Sequence, residues 1–247
     1  MGETRRTALI TGSGRNIGRA SALALAKNGI NVIVNGSSNR ENCDKVAKEA
    51  EALGVDALVV MGDIGNPDDL GNIAATAFEK FGRVDILVNN AAVRPNSPFL
   101  ETDEDEWERI LNIDFHAARR LSKLCLPGMI EAGWGRIINF AGMNAIHGYN
   151  GRAPVSVSKH AAWGLTKSLA KEFGKQGITT NIISPGPIAP EESEPEMREH
   201  IESMVGRVPV GRLGKNEEIG AMVALLASDD GAFVNGQLIQ VNGGAET

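Results

Sequence analysis

Tyrosine occurs once in the 247-residue chain, at Tyr149, and aromatic residues make up only 4% of it. Any reaction that needs a phenolic acid must use that one residue. Cysteine occurs twice, at Cys43 and Cys125, far apart in the chain. No other secretory signal accompanies them, so they read as reduced thiols in a cytoplasmic protein. No Cys/His grouping has metal-ligand spacing, and no metal is expected. No apolar run is long enough to cross a bilayer. Dense Lys/Arg clusters are lacking and the net charge is -6, which argues against nucleic acid or a membrane surface as partner. The first residues, Met1 to Arg6, run straight into an apolar strand. They lack a cleavage site, and Arg6 spoils a myristoylation pattern.

Hydrophobic residues make up 42% of the chain and charged residues 23%, a composition that builds a packed core. The length suits one large α/β domain over residues 1–247. Short, β-branched apolar runs recur at Thr7–Thr11, Asn31–Asn35, Ala57–Met61, Asp85–Asn89, Gly135–Phe140, Thr179–Ser184 and Gln237–Val241. Each reads as a strand. Helical periodicity fills Ile17–Asn28, Asn42–Leu53, Asp103–Gly128, Val155–Phe173 and Glu217–Ala227. This alternation predicts a doubly wound Rossmann fold: a parallel seven-stranded sheet with helices on both faces. Its ligands bind at the carboxyl ends of the strands. Residues 187–212, rich in proline and glutamate, are expected to cap the substrate, with a helical patch near Met197–Val205.

The first strand runs into Thr11-Gly12-Ser13-Gly14-Arg15-Asn16-Ile17-Gly18. Glycines let this backbone turn tightly and approach a pyrophosphate. The helix that follows offers free N–H groups and a positive dipole end. A tight strand-to-helix turn is the bland alternative, but the position after the first strand favours a dinucleotide. An NAD site usually places an acid about 20 residues further on, to hold the ribose 2′-hydroxyl. Asn35-Gly36-Ser37-Ser38-Asn39-Arg40 stands there instead. With Arg15 in the loop, a 2′-phosphate meets hydroxyls and guanidinium groups, so NADP(H) is preferred and NAD(H) is second. The opposing reading makes Arg15 and Arg40 plain solvated arginines.

Together with Thr11-Gly12 and Gly18, several further motifs resemble the short-chain dehydrogenase/reductase family. They are Asp63-Ile64, Asn89-Asn90-Ala91-Ala92, Lys159, Pro185-Gly186-Pro187-Ile188, Pro209 to Gly214 before Glu217-Glu218-Ile219, and Val241-Asn242-Gly243-Gly244. The likeness spans nearly the whole chain, and its style is nearest the 3-oxoacyl-carrier-protein reductase-like branch. It implies cofactor contacts at Gly12, Arg15, Asn16, Ile17, Gly18, Ser37, Ser38 and Asn39. Asp63 and Ile64 are expected at the adenine, Asn90 and Ala91 at the adenosine ribose, Lys159 at the nicotinamide ribose, and Pro185, Gly186 and Ile188 near the nicotinamide. Asn16 replaces a family glycine, Ala92 another, and Pro190 a cofactor-bonding threonine. The likeness also implies a homodimer or homotetramer built on the two long helices, where Leu121, Leu124, Leu165 and Leu169 suit either an interface or the core.

The same alignment places Gly142 at the family's catalytic serine, Val155 at its tyrosine and Asp114 at its asparagine. Only Lys159 is kept. Glycine cannot polarise a carbonyl and valine cannot donate a proton. General acid catalysis is worth about 10²–10⁴-fold, so ordinary carbonyl reduction needs a substitute. Tyr149 and His147 stand in the loop that follows Gly142, each either a chemical group or a packing or surface residue. Asp114 is either a structural partner of Lys159 or a carboxylate base. Three functions follow. One is an atypical NADP(H)-dependent oxidoreductase acting on a small carbonyl, imine or activated alkene. The second is a non-redox lyase, isomerase or hydrolase on the same scaffold. The third is an inert nucleotide-binding subunit. Restoring the pair with Gly142→Ser plus Val155→Tyr is expected to raise carbonyl reduction, read as NADPH oxidation. No gain, with NADPH still bound, would mean that more than the acid is missing.

Overall fold

The computed structural model describes residues 5–142, 144–191 and 203–246, and only the backbone of 144 and 145. Seven strands lie in one parallel sheet in the order β3-β2-β1-β4-β5-β6-β7. They are β1 (Thr7–Ile10), β2 (Asn31–Gly36), β3 (Ala57–Met61), β4 (Ile86–Asn89), β5 (Gly135–Phe140), β6 (Ile178–Pro185) and β7 (Leu238–Val241). The doubly wound reading is thus met, each strand falling within a residue or two of its expected bounds.

Because side chains alternate along a strand, each central strand feeds two cores. Ala8, Ile10, Val32, Val34, Ile86 and Val88 face α1 (Asn16–Lys27), α2 (Arg40–Glu51) and the last helix, α8 (Asn216–Ala227). Leu9, Ile33, Leu87 and Ile137 face α3 (Pro67–Phe81) and α5 (Ala117–Ala132). Asn66 caps α3 through its side chain and Pro67 stands at its first turn, signals that the periodicity reading did not single out. Both thiols are buried, and burial pushes the Cys125 thiol up to about 12.

One expectation needs correction. Asp103–Gly128 is not a single helix. It comprises α4 (Glu104–Leu111), a π-helical turn over Asn112–His116, and α5. Asp103 caps its start, accepting from the Glu106 amide at 2.7 Å. The π turn widens one loop of the helix and re-aims the side chains on it, and Asp114 lies on that turn. Beyond β5 come the short α6 (Asn144–His147) and the long α7 (Ala153–Phe173), with α6 packed on α7.

In the expected substrate cap, residues 192–202 lie outside the described residues. That takes in most of the predicted helical patch; its end, Val205, opens a 3₁₀ turn to Arg207. Of the four leucines, Leu121 is core, Leu124 is exposed, and Leu165 and Leu169 are half-buried.

Candidate active site

The loop between β1 and α1 is held by its close contacts. Gly12 has φ +62°, and an added Cβ would meet the Ala91 Cβ at 2.8 Å. At Gly18 an added Cβ would strike the Gly12 carbonyl oxygen and stand 2.7 Å from Asn90 Nδ2. Asn90 Nδ2 donates to the Thr11 carbonyl at 2.9 Å and to that of Gly12 at 3.1 Å, so its amide is committed to bracing the loop. Asn35 ties neighbouring strands together, donating to the Val60 and Gly62 carbonyls at 3.1 and 3.2 Å. Asn16 has φ 51°, the one positive value among the described non-glycine residues. Asn16 thus adopts the left-handed conformation that asparagine tolerates better than most residues.

Glu191 reaches this loop from the capping segment. Its Oε2 accepts from the Asn16 amide at 2.9 Å, and its own amide donates to Asn16 Oδ1 at 3.0 Å. Arg19 Nη1 donates to Glu191 Oε1 at 2.9 Å, and Arg19 Nη2 to Glu49. A carboxylate thus rests on the positive end of α1, where an anion is favoured. Arg15, Arg19, Asn42, Lys45, Glu49 and Glu191 line a cleft of about 270 Å³ here. Arg19, Lys45, Glu49 and Glu191 were missed from the sequence. Arg19 stands one turn after Arg15 and could have been read from that spacing; Glu191 is 175 residues away and could not.

The expected 2′-phosphate groups fare unevenly. Ser37, Ser38 and Arg15 are exposed and free to contact a ligand. Asn39 is committed to capping α2, accepting from the Asn42 amide at 2.9 Å. Arg40 pairs at the surface with Asp44, 3.6 Å away. Asp63 accepts from the Gly65 amide, and Ile64 is buried. Ile17 is half-buried against the first core. Gly186 lies so near Asn242 that an added Cβ would stand 2.6 Å from its Cα. Pro185 ends β6, and Ile188 forms a β-bridge with Gly214.

Asp114 and Lys159 are brought together and sealed from solvent. Lys159 Nζ lies 3.1 Å from Asp114 Oδ2, and both side chains are at most 3% exposed. Asp114 Oδ1 accepts from the Val93 amide at 2.8 Å, which ties the exit of β4 to the π turn. The approach of Nζ is off-axis, so Oδ2 lacks a well-aligned hydrogen bond. Burial pushes the Lys159 ammonium below its ordinary range; Asp114 opposes that and Arg94 adds to it. The pair borders a small cavity with Asn89 and Asn139, whose side chains are joined by a 2.8 Å hydrogen bond.

The two other candidates are engaged elsewhere. His147 Nε2 contacts the carboxylate of Glu246. Tyr149 is exposed, with the Arg152 guanidinium carbon 5.5 Å from its ring centroid. Gly142 has φ +95°, so a serine there is strained whatever the space. Val155 is fully buried on α7. Restoring a serine and a tyrosine therefore carries a backbone and packing cost that the alignment does not reveal.

The family model described as enoyl-(acyl carrier protein) reductase matches residues 12–246. The chain is 34% identical over 239 residues to the 3-oxoacyl-[acyl-carrier-protein] reductase FabG of Staphylococcus aureus, covering 97% of each chain. Against the enzyme of that name from Thermotoga maritima it is 33% identical over 241 residues, again covering 97% of each. The chain belongs to the short-chain dehydrogenase/reductase family. It is an oxidoreductase of that family's NAD(P)-dependent kind. Among solved structures, acetoin dehydrogenase YohF from Salmonella typhimurium superposes with a TM-score of 0.89 at 30% identity, covering 97% of this chain and 95% of its own. No helix of the described residues is long and apolar enough to cross a membrane.

Removing one partner of a buried ion pair leaves the other uncompensated. Asp114→Ala is therefore expected to lower stability by about 3–5 kcal/mol at pH 7, seen as a fall in Tm. The deficit should shrink as pH rises. A lysine whose folded pKa is depressed carries its full cost below that pKa. The cost is relieved between the depressed value and the ordinary 10.5, because the unfolded chain binds more protons there. A Tm deficit that is constant or grows from pH 7 to pH 10 would contradict a charged Lys159 in the pair.

Proposed function

We propose that this oxidoreductase is NADP(H)-dependent and works without the usual serine and tyrosine, on a small carbonyl, imine or activated alkene. The observation that carries the reading is Lys159, a lysine kept fully buried beside Asp114 at the carboxyl edge of the sheet. Asp114 is its one ion pair among the described residues, and an ammonium carries three donors, so donors remain for ligand hydroxyls.

The residues present fit a dinucleotide. Gly12 and Gly18 allow the loop to turn tightly against Ala91 and Asn90, and Glu191 already stands in for an anion at the Asn16 amide. Gly12, Asn16, Ile17 and Gly18 would hold the diphosphate. Arg15, Ser37 and Ser38 would hold the 2′-phosphate, Asn39 shaping that turn as a cap. NADP(H) is preferred to NAD(H) because residues 35–40, at the end of β2, contain no acid. Asp63 and Ile64 would flank the adenine, Ala91 and the loop braced by Asn90 the adenosine ribose, and Pro185, Gly186 and Ile188 the nicotinamide. When bound, the nicotinamide supplies hydride chemistry.

Lys159 orients the ribose hydroxyls and holds a proton at Nζ. Burial makes that ammonium a stronger acid than a free lysine, at a site where Gly142 and Val155 offer none. Asp114 holds the ammonium in place. Tyr149 and His147, bound to Arg152 and Glu246, are then pocket-wall residues rather than the acid. A catalytically inert nucleotide-binding subunit is the second reading, favoured by the full burial of Val155. Leu124, exposed on α5, suits a homodimer or homotetramer contact.

Two measurements test this. NADPH oxidation against a panel of carbonyls, imines and activated alkenes should find turnover; saturable NADPH binding with no turnover selects the second reading. Lys159→Met should weaken NADPH binding by about tenfold or more, the loss of a charge-assisted hydrogen bond. Glu191→Ala should tighten it, because the diphosphate then displaces no carboxylate. Unchanged NADPH affinity in both variants would place the nucleotide elsewhere.

A further inference from the structure

Two arginines beside the Asp114–Lys159 pair take no part in the nucleotide site described above. Arg152 is the N-cap residue immediately before α7, and Val155 and Lys159, four residues apart, share one face of that helix. Its Nε is enclosed by protein without any hydrogen-bond partner. Its guanidinium carbon lies 5.5 Å from the centroid of the Tyr149 ring. Arg94 follows Val93, whose amide is bonded to Asp114 Oδ1. The residue is exposed to solvent, while protein crowds the guanidinium itself. Burial pushes its guanidinium below the ordinary range; Asp114 opposes this and Arg152 adds to it. The two segments are tied together where the Ser97 amide donates to the Gly151 carbonyl at 2.8 Å.

Neither guanidinium has an ion pair or a side-chain hydrogen bond among the described residues. Nearby, the charges of Asp114 and Lys159 cancel each other. Two neighbouring cations without a counter-charge repel, and enclosing a donor without an acceptor is costly. Guanidinium forks match oxyanions in bidentate fashion, so a negative oxygen group relieves both costs at once.

We propose that Arg94 and Arg152 clamp an oxyanion of the substrate, a carboxylate or a phosphate group carried on the molecule whose carbonyl, imine or alkene reacts beside Lys159. The inference rests on the oxidoreductase reading for the location of the substrate. Arg152 is the inner arm, fixed by the helix and by Tyr149. Arg94 is the outer arm, open to incoming ligand. Tyr149 thereby becomes a positioning residue for Arg152.

Calorimetry on the NADPH-saturated full chain tests the clamp, with succinate, inorganic phosphate and neutral succinamide as probes. Saturating NADPH keeps the probes off the phosphate loop. At least one oxyanion should bind, with succinamide at least about tenfold weaker. Arg94→Gln and Arg152→Gln should each weaken oxyanion binding by about tenfold or more, as expected for a lost charge-assisted hydrogen bond. Arg94→Lys and Arg152→Lys, which keep the charge, should lose less. Succinate binding alone assigns a carboxylate, and phosphate binding alone a phosphate group. The clamp is overturned if no oxyanion binds, if acid and amide bind alike, or if both Gln variants bind like the parent. Failure of the parent to bind NADPH would count against the nucleotide reading instead. The same titrations on the nucleotide-free protein, parent against Gln variants, then still decide the clamp.

Discussion

The buried contact between Lys159 and Asp114 joins three parts of the chain that are remote in sequence. The carboxylate comes from the π turn between α4 and α5, and the ammonium from the middle of α7. The Val93 amide adds the segment leaving β4. None of these could shift without stranding a charge away from water, a far larger cost than any surface pair carries. The carboxyl edge of the sheet is therefore organised around this pair. The side-chain chain from Asn89 through Asn139 to Thr166 extends the same polar layer inward, at 2.8 and 2.9 Å.

Around that neutral pair the edge carries charges of both signs in distinct places. Glu191 lays a carboxylate on the amino end of α1 and is balanced there by Arg19. Across the site, Arg94 and Arg152 have no such balance among the described residues. One region thus shows an anion already in place, and the other a site made for one. Both follow from the same fact: donors that face a cleft shed by the surrounding backbone must find acceptors or remain costly.

Most of the architecture was legible in the chain itself. Short, near-continuous apolar runs, most of them bounded by glycine, asparagine or aspartate, marked the seven strands, because a buried parallel strand is apolar on both faces. The Thr11 to Gly18 loop was also readable, since it rests on local spacing and on residue types with few conformational options, whereas the placing of Asp114 beside Lys159 came from the family resemblance. The break in the long helix was not, because a π turn is a register shift stabilised by tertiary contacts, with no proline or glycine at 112–116 to announce it. Nor was the committal of Asn39 and Asn90 to backbone groups, or the turning of His147 toward Glu246.

The sequence by itself determined the sheet, the glycine-rich turn after β1 and the presence of side chains without hydroxyls at positions 142 and 155. These depend on backbone preference, side-chain chemistry and short-range periodicity. Only the tertiary structure decided which polar groups are free to act. Glu191 meets Asn16 across 175 residues, and the segments that carry Arg94 and Arg152 are joined where the Ser97 amide meets the Gly151 carbonyl. Whether a donor is already satisfied depends on the fold that brings its partner near, and no local pattern of residues encodes that.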